Sequence, residues 1–421
     1  MPNRRTFLQR TARTVAWVAV APQIVRSGVL PLHGQPGINE SIVTGHIGLG
    51  PRGRELLPRF KHVAAVCDVD QRRLADVRPH LPETTQAFQD FRRVLERPDI
   101  DAVVIATPDH WHALMTVLAC RAGKHVYLET PLCRSIHEGA RMERVVTETG
   151  RCVQIGGQGR SNPLGFAACQ LIRSGGLGEI RRIECWHPPD PAFGASPASS
   201  PPPGLDWDLW LGPLADRPFD EALFDGRWRF APGIGGGALV DRGFHMFGLL
   251  TWFLDLDLRR LRKVSVTPPK PETADNAFEA RFELTGPDLE IIWSQPGTKA
   301  GNTEFGATYS GTRDSAVVEG GERGVGGSPN LLPYMAEETV PSVTRSKDQI
   351  DNWRDAIRSG SPPIFPVADG CRANTLVRLA GLARRAGGEI LLPAGALTSE
   401  IPGAILTDDR LDCRSAWTLP V

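Results

Sequence analysis

Gly48, Gly50 and Gly53 stand at G-x-G-x-x-G spacing, after an apolar run that ends at Ile47 and before a helix-like segment. No other feature restricts the fold as much, because each glycine answers a different steric demand of one strand–turn–helix unit. The first permits the tight turn, the second lets backbone approach a pyrophosphate, and the third lets the helix lie close on the strand. The helix N-terminus then offers unpaired N–H groups to phosphate oxygens. A second apolar run, residues 63–67, ends in Asp68. A carboxylate at that distance accepts hydrogen bonds from an adenosine ribose, and it would repel a ribose 2′-phosphate. Together the two signals predict a nicotinamide dinucleotide site, for NAD in preference to NADP.

The rest of the N-terminal half repeats this unit. Apolar runs at residues 42–47, 63–67, 102–106, 126–128 and 152–155 alternate with helical segments at 52–60, 71–81, 112–122 and one ending near 149. Asp90 is placed to cap a short helix carrying Phe91, Val94 and Leu95 on one face. Continuous apolar strands between helices predict a parallel sheet covered on both faces. After Gly156 the pattern changes. A helix over 166–174 and a strand over 180–186 lead into a proline-rich loop, and a helix running to Leu254 follows. Apolar runs at 261–266, 277–284, 289–293, 304–309 and 316–319, mostly separated by glycine-rich turns, predict an antiparallel sheet. Helices over 348–359 and 371–386 close the pattern. The expected fold is an α/β N-terminal Rossmann domain, doubly wound with a mostly parallel sheet, plus an α+β C-terminal domain with a large, mainly antiparallel open sheet.

A chain of 421 residues exceeds one ordinary core. The divisions read from it are a leader and linker at 1–38, a dinucleotide-binding domain at 39–156, a substrate-binding and oligomerisation domain at 157–400 and a tail at 401–421. The 48 basic and 48 acidic residues cancel, which removes the electrostatic case for nucleic acid or an anionic membrane surface. Eight cysteines lie scattered, none at C-x-x-C spacing, and read as buried thiols. Near the start, Arg4-Arg5-Thr6-Phe7-Leu8 precedes an apolar run over 15–21 that is too short for a membrane anchor. This is a twin-arginine export pattern, which implies the twin-arginine machinery as a partner and a periplasmic or cell-envelope destination. Pro22 follows Ala19-Val20-Ala21 directly and should hinder cleavage there. Export in the folded state suits an enzyme that must load its cofactor before leaving the cytoplasm.

Several short constellations carry chemistry. Thr107-Pro108-Asp109-His110-Trp111-His112 follows the strand-like run at 102–106, where doubly wound folds bind ligands. Thr107 and Pro108 are expected to shape a cofactor wall, with His112 near the pyrophosphate or the nicotinamide ribose. The His-x-His lacks clustered carboxylates or thiols, so no metal is expected. Glu129, at the end of the next strand, is a candidate for the nicotinamide ribose, and Arg52 joins the glycines as a cofactor residue. In the second domain Asp241 and His245 are i, i+4 and share one helical face. An imidazole suits proton transfer near neutral pH, and a carboxylate can orient it. Trp207, Trp210 and Gln158 are assigned to the substrate side.

These pieces resemble, in order and over nearly the whole chain, the glucose–fructose oxidoreductase / inositol dehydrogenase (Gfo/Idh/MocA) family, especially its exported bacterial branch. The resemblance rests on the twin-arginine leader, the glycine motif, Cys67-Asp68-Val69-Asp70 and the Thr107–His112 motif. It continues through Asp206-Trp207-Asp208-Leu209-Trp210-Leu211-Gly212-Pro213 and Gly235-Gly236-Gly237-Ala238-Leu239-Val240-Asp241 with His245. It implies hydride transfer between a secondary alcohol of a sugar or cyclitol and C4 of a tightly bound nicotinamide cofactor, and assembly into homo-oligomers through the open sheet face. The family's acid–base set is a lysine in Glu-Lys-Pro plus an Asp and a His, the last two matching Asp241 and His245. The lysine is missing: this chain reads Glu129-Thr130-Pro131. Cys371 likewise stands where relatives commonly carry His. Three functions therefore stay open. One is an oxidoreductase in which His245 works with Asp241 and a hydrogen-bonding Thr130. The second is a redox-neutral, NAD-dependent glycosidase or lyase, and the third is a binder of NAD or sugar without turnover.

Overall fold

The computed structural model describes residues 41–188, 190–197, 199–231, 233–267, 278–295, 305–320, 326–336, 340–395, 414 and 417–419. The twin-arginine leader and most of the tail lie outside these residues. The first half contains β1 (Thr44–Ile47), α1 (Pro51–Leu56), β2 (Val63–Cys67), α2 (Gln71–Val77), β3 (Gln86–Phe88) and α3 (Arg92–Leu95). It continues with β4 (Ala102–Ile105), α4 (Asp109–Arg121), β5 (His125–Leu128), α5 (Ile136–Thr149) and β6 (Val153–Ile155). The six strands pair in parallel in the order β3-β2-β1-β4-β5-β6. This is the doubly wound order, with the strand reversal between β1 and β4 opening a crevice at their C-terminal ends. Every residue of β1 and β4 is buried, as a sheet covered on both faces requires.

The local endings follow from local chemistry. Pro58 does interrupt the first helix: α1 stops at Leu56 and a single 3-10 turn over Leu57–Arg59 replaces its continuation. The second helix ends at Val77, with Pro79 in the 3-10 turn that follows. Ser135 caps α5 by accepting the Glu138 N–H, and Gly150 closes it in the left-handed region at φ 64°. Beyond the expected runs, α4 begins three residues before the predicted start at His112, and β3 forms from a mostly exposed segment of three residues, too short for an apolar run.

The second half contains α6 (Pro163–Arg173), β7 (Ile180–Trp186), α7 (Trp207–Leu211), α8 (Glu221–Phe224) and α9 (Gly237–Leu254). Strands β8 (Leu261–Thr267), β9 (Phe278–Leu284), β10 (Leu289–Gln295), β11 (Phe305–Gly311), β12 (Ser315–Gly320) and β13 (Gly326–Gly327) follow. Helices α10 (Gln349–Ser359) and α11 (Val367–Arg385) precede β14 (Glu389–Leu391). The eight strands are ordered β13-β12-β11-β7-β10-β9-β8-β14, antiparallel throughout except between β7 and β10. One face packs on α6, α9 and α11. The other carries a ladder of ion pairs, with Arg182 reaching Glu290 at 2.5 Å and Arg281 reaching Glu290 and Glu279 at 2.7 Å. Seven cysteines are described, all free thiols and five of them buried.

Residues 43–421 form one compact unit. Helix α11 packs on both α9 and α5, and Pro366 bridges to Gln154 of β6, so the end of the chain returns to the first sheet. Arg160 fastens this junction. Its side chain is 1% exposed and pairs with Asp369. It donates to the carbonyls of Ile364 at 3.0 Å and Gly248 at 2.8 Å, with its guanidinium 3.9 Å above the Phe365 ring. Breaking a buried pair from one side costs about 3–5 kcal/mol. Arg160→Ala should lower unfolding stability by that amount in denaturant titration, and Arg160→Lys should fail to restore it, because an ammonium cannot span three partners in one plane.

Candidate active site

The glycine-rich turn meets the demands read from its spacing. Gly48 has φ +90°, and a Cβ there would lie 2.5 Å from the Ala106 oxygen. A Cβ on Gly53 would come within 1.9 Å of the Gly48 oxygen, whereas one on Gly50 would meet only the tip of Arg73 at 3.8 Å. Two glycines are therefore needed for packing, and the third leaves its backbone open toward a cavity of about 630 Å³ at the sheet's C-terminal edge. Pro51 occupies the first helical position and lacks an N–H, so the unpaired donors there belong to Arg52 and Gly53. Asp68 also faces this cavity. Its Oδ2 accepts the Leu49 N–H at 2.7 Å, its Oδ1 accepts the Asp70 N–H at 3.0 Å, and Arg73 stands 3.7 Å away. Burial raises its pKa while Arg73 and the two N–H groups oppose the rise. Beyond any ribose contact, Asp68 thus ties the glycine turn to the end of β2, a task its sequence position does not announce.

Thr107 and Pro108 line the same cavity, and Pro108 leads into α4. His112 does not reach it. The ring is fully buried, with Nδ1 2.6 Å from the Pro131 oxygen and Nε2 2.9 Å from the Thr107 oxygen. Two acceptors would call for an imidazolium, but complete burial disfavours the charge and pulls the pKa down to about 4. The neutral ring donates once, across the shorter contact to Pro131, and so clamps the loops after β4 and β5 instead of touching a cofactor. Glu129 is buried and held by Arg52, whose Nε donates to Oε1 at 2.9 Å. Burial raises its pKa and Arg52 opposes this.

The tryptophans also lie elsewhere than expected. Trp210 lines the dinucleotide-side cavity, and Trp207 stacks on it with ring centroids 4.6 Å apart, so neither lines the small cavity beside His245. They belong to a strap over 204–230 that crosses the mouth of the crevice. The Trp210 oxygen accepts both His110 Nε2 at 2.8 Å and Trp111 Nε1 at 3.1 Å. The strap is pinned at other points too. Gly204 accepts from Gln71 and Gln89, Asp206 donates to Val69, and Arg73 lies 4.6 Å from the Phe224 ring. Arg414, from the tail, donates to the Gly212 oxygen at 2.6 Å and reaches Asp216 at 2.8 Å.

The candidate acid–base residues come from both halves of the chain. Thr130 Oγ1 and His245 Nε2 are 3.1 Å apart, from the end of β5 and the first half of α9. Burial pulls the His245 pKa down to about 4, with Asp241 opposing, so the ring is neutral at pH 7 and Nε2 can accept the Thr130 hydroxyl proton. Asp241 shares the helical face but forms no hydrogen bond to His245. Its oxygens instead face Arg229 Nε at 3.4 Å and Arg242 Nε at 3.6 Å. Gln158 lines a cavity of about 170 Å³ together with His245 and Arg242. Asp109, present in the quoted motif but given no role there, is buried, and burial pushes its pKa up to about 7 against the pull of Arg229, with Asp241 adding to the rise. Arg229 and Arg242 were also missed, since single arginines in an arginine-rich chain carry no pattern.

Residues 44–157 match the family model described as "Oxidoreductase family, NAD-binding Rossmann fold" (GFO_IDH_MocA). The chain is 26% identical over 369 residues to "Inositol 2-dehydrogenase 4" of Saccharopolyspora erythraea, covering 83% of this chain and 95% of that one. It is 27% identical over 295 residues to a "Glycosyl hydrolase family 109 protein" of the same organism, covering 63% of this chain and 58% of that relative's length. Among solved structures, the WlbA dehydrogenase of Bordetella pertussis, crystallised with NADH and UDP-GlcNAcA, superposes with a TM-score of 0.60 at 18% identity. The match covers 84% of this chain and 99% of that one, and it shows a shared fold.

Two outcomes test the geometry. A Cβ at Gly212, where φ is +48°, would strike the Trp111 ring at 2.1 Å. Overpacking of this kind costs about 1–3 kcal/mol, so Gly212→Ala should lower thermal stability and weaken NAD roughly tenfold in a titration. Because the folded-state pKa of Asp109 is raised, wild-type stability should fall as pH rises from about 4 to about 7. Asp109→Asn should lose that part of the pH dependence in denaturant titrations. With this geometry and the family match together, residues 44–157 form a Rossmann domain of the kind that the NAD-binding model of the Gfo/Idh/MocA oxidoreductase family describes.

Proposed function

We propose that the protein oxidises a secondary hydroxyl of a sugar or cyclitol with NAD, using Thr130 and His245 where the family uses a lysine. The observation that carries this reading is the 3.1 Å contact between Thr130 Oγ1 and neutral His245 Nε2 beside the cofactor crevice. Gly48, Gly50, Arg52, Gly53, Asp68, Thr107 and Pro108 hold the dinucleotide, and bound NAD supplies the hydride acceptor. Glu129 reaches it through Arg52. The Thr130 hydroxyl takes the substrate O–H proton as it passes its own to His245 Nε2, which leaves an alkoxide able to release hydride. Arg229, Arg242 and Asp241 set the charge around that proton. Losing a positioned general base costs about 10²–10⁴-fold in rate, so His245→Ala should abolish most turnover. Thr130→Ala removes one hydrogen bond, worth about 1 kcal/mol, and should cost less, near tenfold. Since His245 must be neutral, kcat/KM should hold constant on lowering pH through 6.5 and fall only near pH 4. A break near 6.5 would assign the proton to another group.

The strap favours a second reading. A strap that lines the crevice with Trp210 and Phe224 through Arg229 would slow the exchange of NAD and keep it bound through many turnovers. A cofactor that cannot leave must be reoxidised in place, as in a redox-neutral glycosidase or lyase, and the glycosyl hydrolase relatives accord with this. The twin-arginine leader and export to the cell envelope fit it as well, because free NAD is scarce there. The ion-pair ladder on the open sheet is the face through which copies would assemble. Purified protein should release NAD only on denaturation. Its bound NAD should be reduced by a sugar under the first reading, or it should cleave a glycoside without net reduction under the second.

A further inference from the structure

We propose that the carbohydrate bound beside His245 carries a carboxylate, and that Arg242 is the side chain that selects it. The inference takes the location of the reacting site from the reading above but adds a substrate class to it. The cavity containing His245 is lined by Gln158, Arg160 and Arg242 against Phe305, Phe365 and Leu249. At about 170 Å³ it is smaller than the roughly 300–1,000 Å³ of pockets for drug-sized ligands, and it suits a single sugar ring. Apolar and aromatic walls cover the ring's C–H faces, which leaves the polar side chains to choose among substituents.

Of these, Arg242 has both charge and donors to spare. Its side chain is 46% exposed, its guanidinium lies 5.6 Å from the Phe305 ring, and its nearest ion-pair contact among the described residues is Nε to Asp241 Oδ2 at 3.6 Å. Asp241 is shared with Arg229 at 3.4 Å. Arg229 lines the other cavity and Asp190 lies within electrostatic reach of Asp241, so the free positive charge at this cavity is that of the Arg242 side chain itself. The forked Nη groups of Arg242 match a carboxylate bidentately, a geometry that a lone hydroxyl cannot use. Arg160, also in the cavity wall, is balanced by Asp369. Its Nη groups are committed, and its Nε, on a side chain 1% exposed, is buried without a hydrogen-bond partner among the described residues. Gln158 is exposed and brings an amide that can hold a neighbouring hydroxyl.

The test compares glucuronate with glucose, and galacturonate with galactose, on the full chain with its bound NAD. Binding is read by calorimetry, and reduction by nicotinamide absorbance. Each uronate should bind at least about tenfold more tightly than its neutral partner, and the advantage should shrink in high salt. Arg242→Gln should erase it, with Arg242→Lys keeping part of it. Equal affinity for neutral sugars, no measurable binding of either uronate, an undiminished preference in Arg242→Gln, or tighter binding of glucose 6-phosphate would each overturn the assignment. Uronate preference without reduction or cleavage would sustain it and sink the catalytic reading. Reduction of neutral sugars with no uronate preference would do the reverse.

Discussion

The carbonyl oxygen of Trp210 accepts two buried donors, His110 Nε2 at 2.8 Å and Trp111 Nε1 at 3.1 Å, and through it the strap is held over the crevice. Neither donor has an alternative in that interior, and an unmade buried hydrogen bond costs the desolvation of its group. Burial pulls the His110 pKa down to about 3, which keeps the ring in a neutral form able to donate from Nε2. Gly212, two residues on, lies against the Trp111 ring so closely that no side chain fits. The cofactor crevice thus has one wall from the parallel sheet and a second from a segment a hundred residues later, joined at the Trp210 oxygen and at the Gly204 and Asp206 backbone contacts.

The same economy marks the reacting groups. His245 and Thr130 come from different halves of the chain and meet at hydrogen-bond distance. Asp241, which helical spacing pairs with His245, turns to two arginines because their charge outbids a neutral ring. The imidazole is therefore oriented by a threonine hydroxyl. A hydroxyl beside a neutral imidazole can relay a proton without holding a charge of its own.

Much of the fold was legible because its signals are local. Glycine spacing, uninterrupted apolar strands and the switch to alternating strands after Gly156 each report steric or burial demands met within a few residues of chain. β2 and β7 have the bounds their apolar runs predict. β3 was missed because a three-residue edge strand is too short to give an apolar run, and the parallel β7–β10 pairing because register between distant strands leaves no mark in either one. Among site residues, Gly48, Gly50, Gly53 and Asp68 line up by spacing alone. His112 and the two tryptophans were misplaced for one reason: a motif names the loop but not the direction in which each side chain leaves it.

By itself the sequence determined the parallel sheet, its glycine turn and the dinucleotide crevice, since these follow from chain geometry and the exclusion of apolar runs from water. Only the tertiary structure decided which polar groups face one another. Asp68 on the Leu49 N–H, His112 on the Pro131 oxygen, Thr130 on His245 and Asp241 beside Arg229 are contacts between residues 12 to 115 positions apart in the chain. Hydrogen-bond and ion-pair partners are chosen within about 4 Å in space, and such proximity is created by packing, not by spacing along the chain.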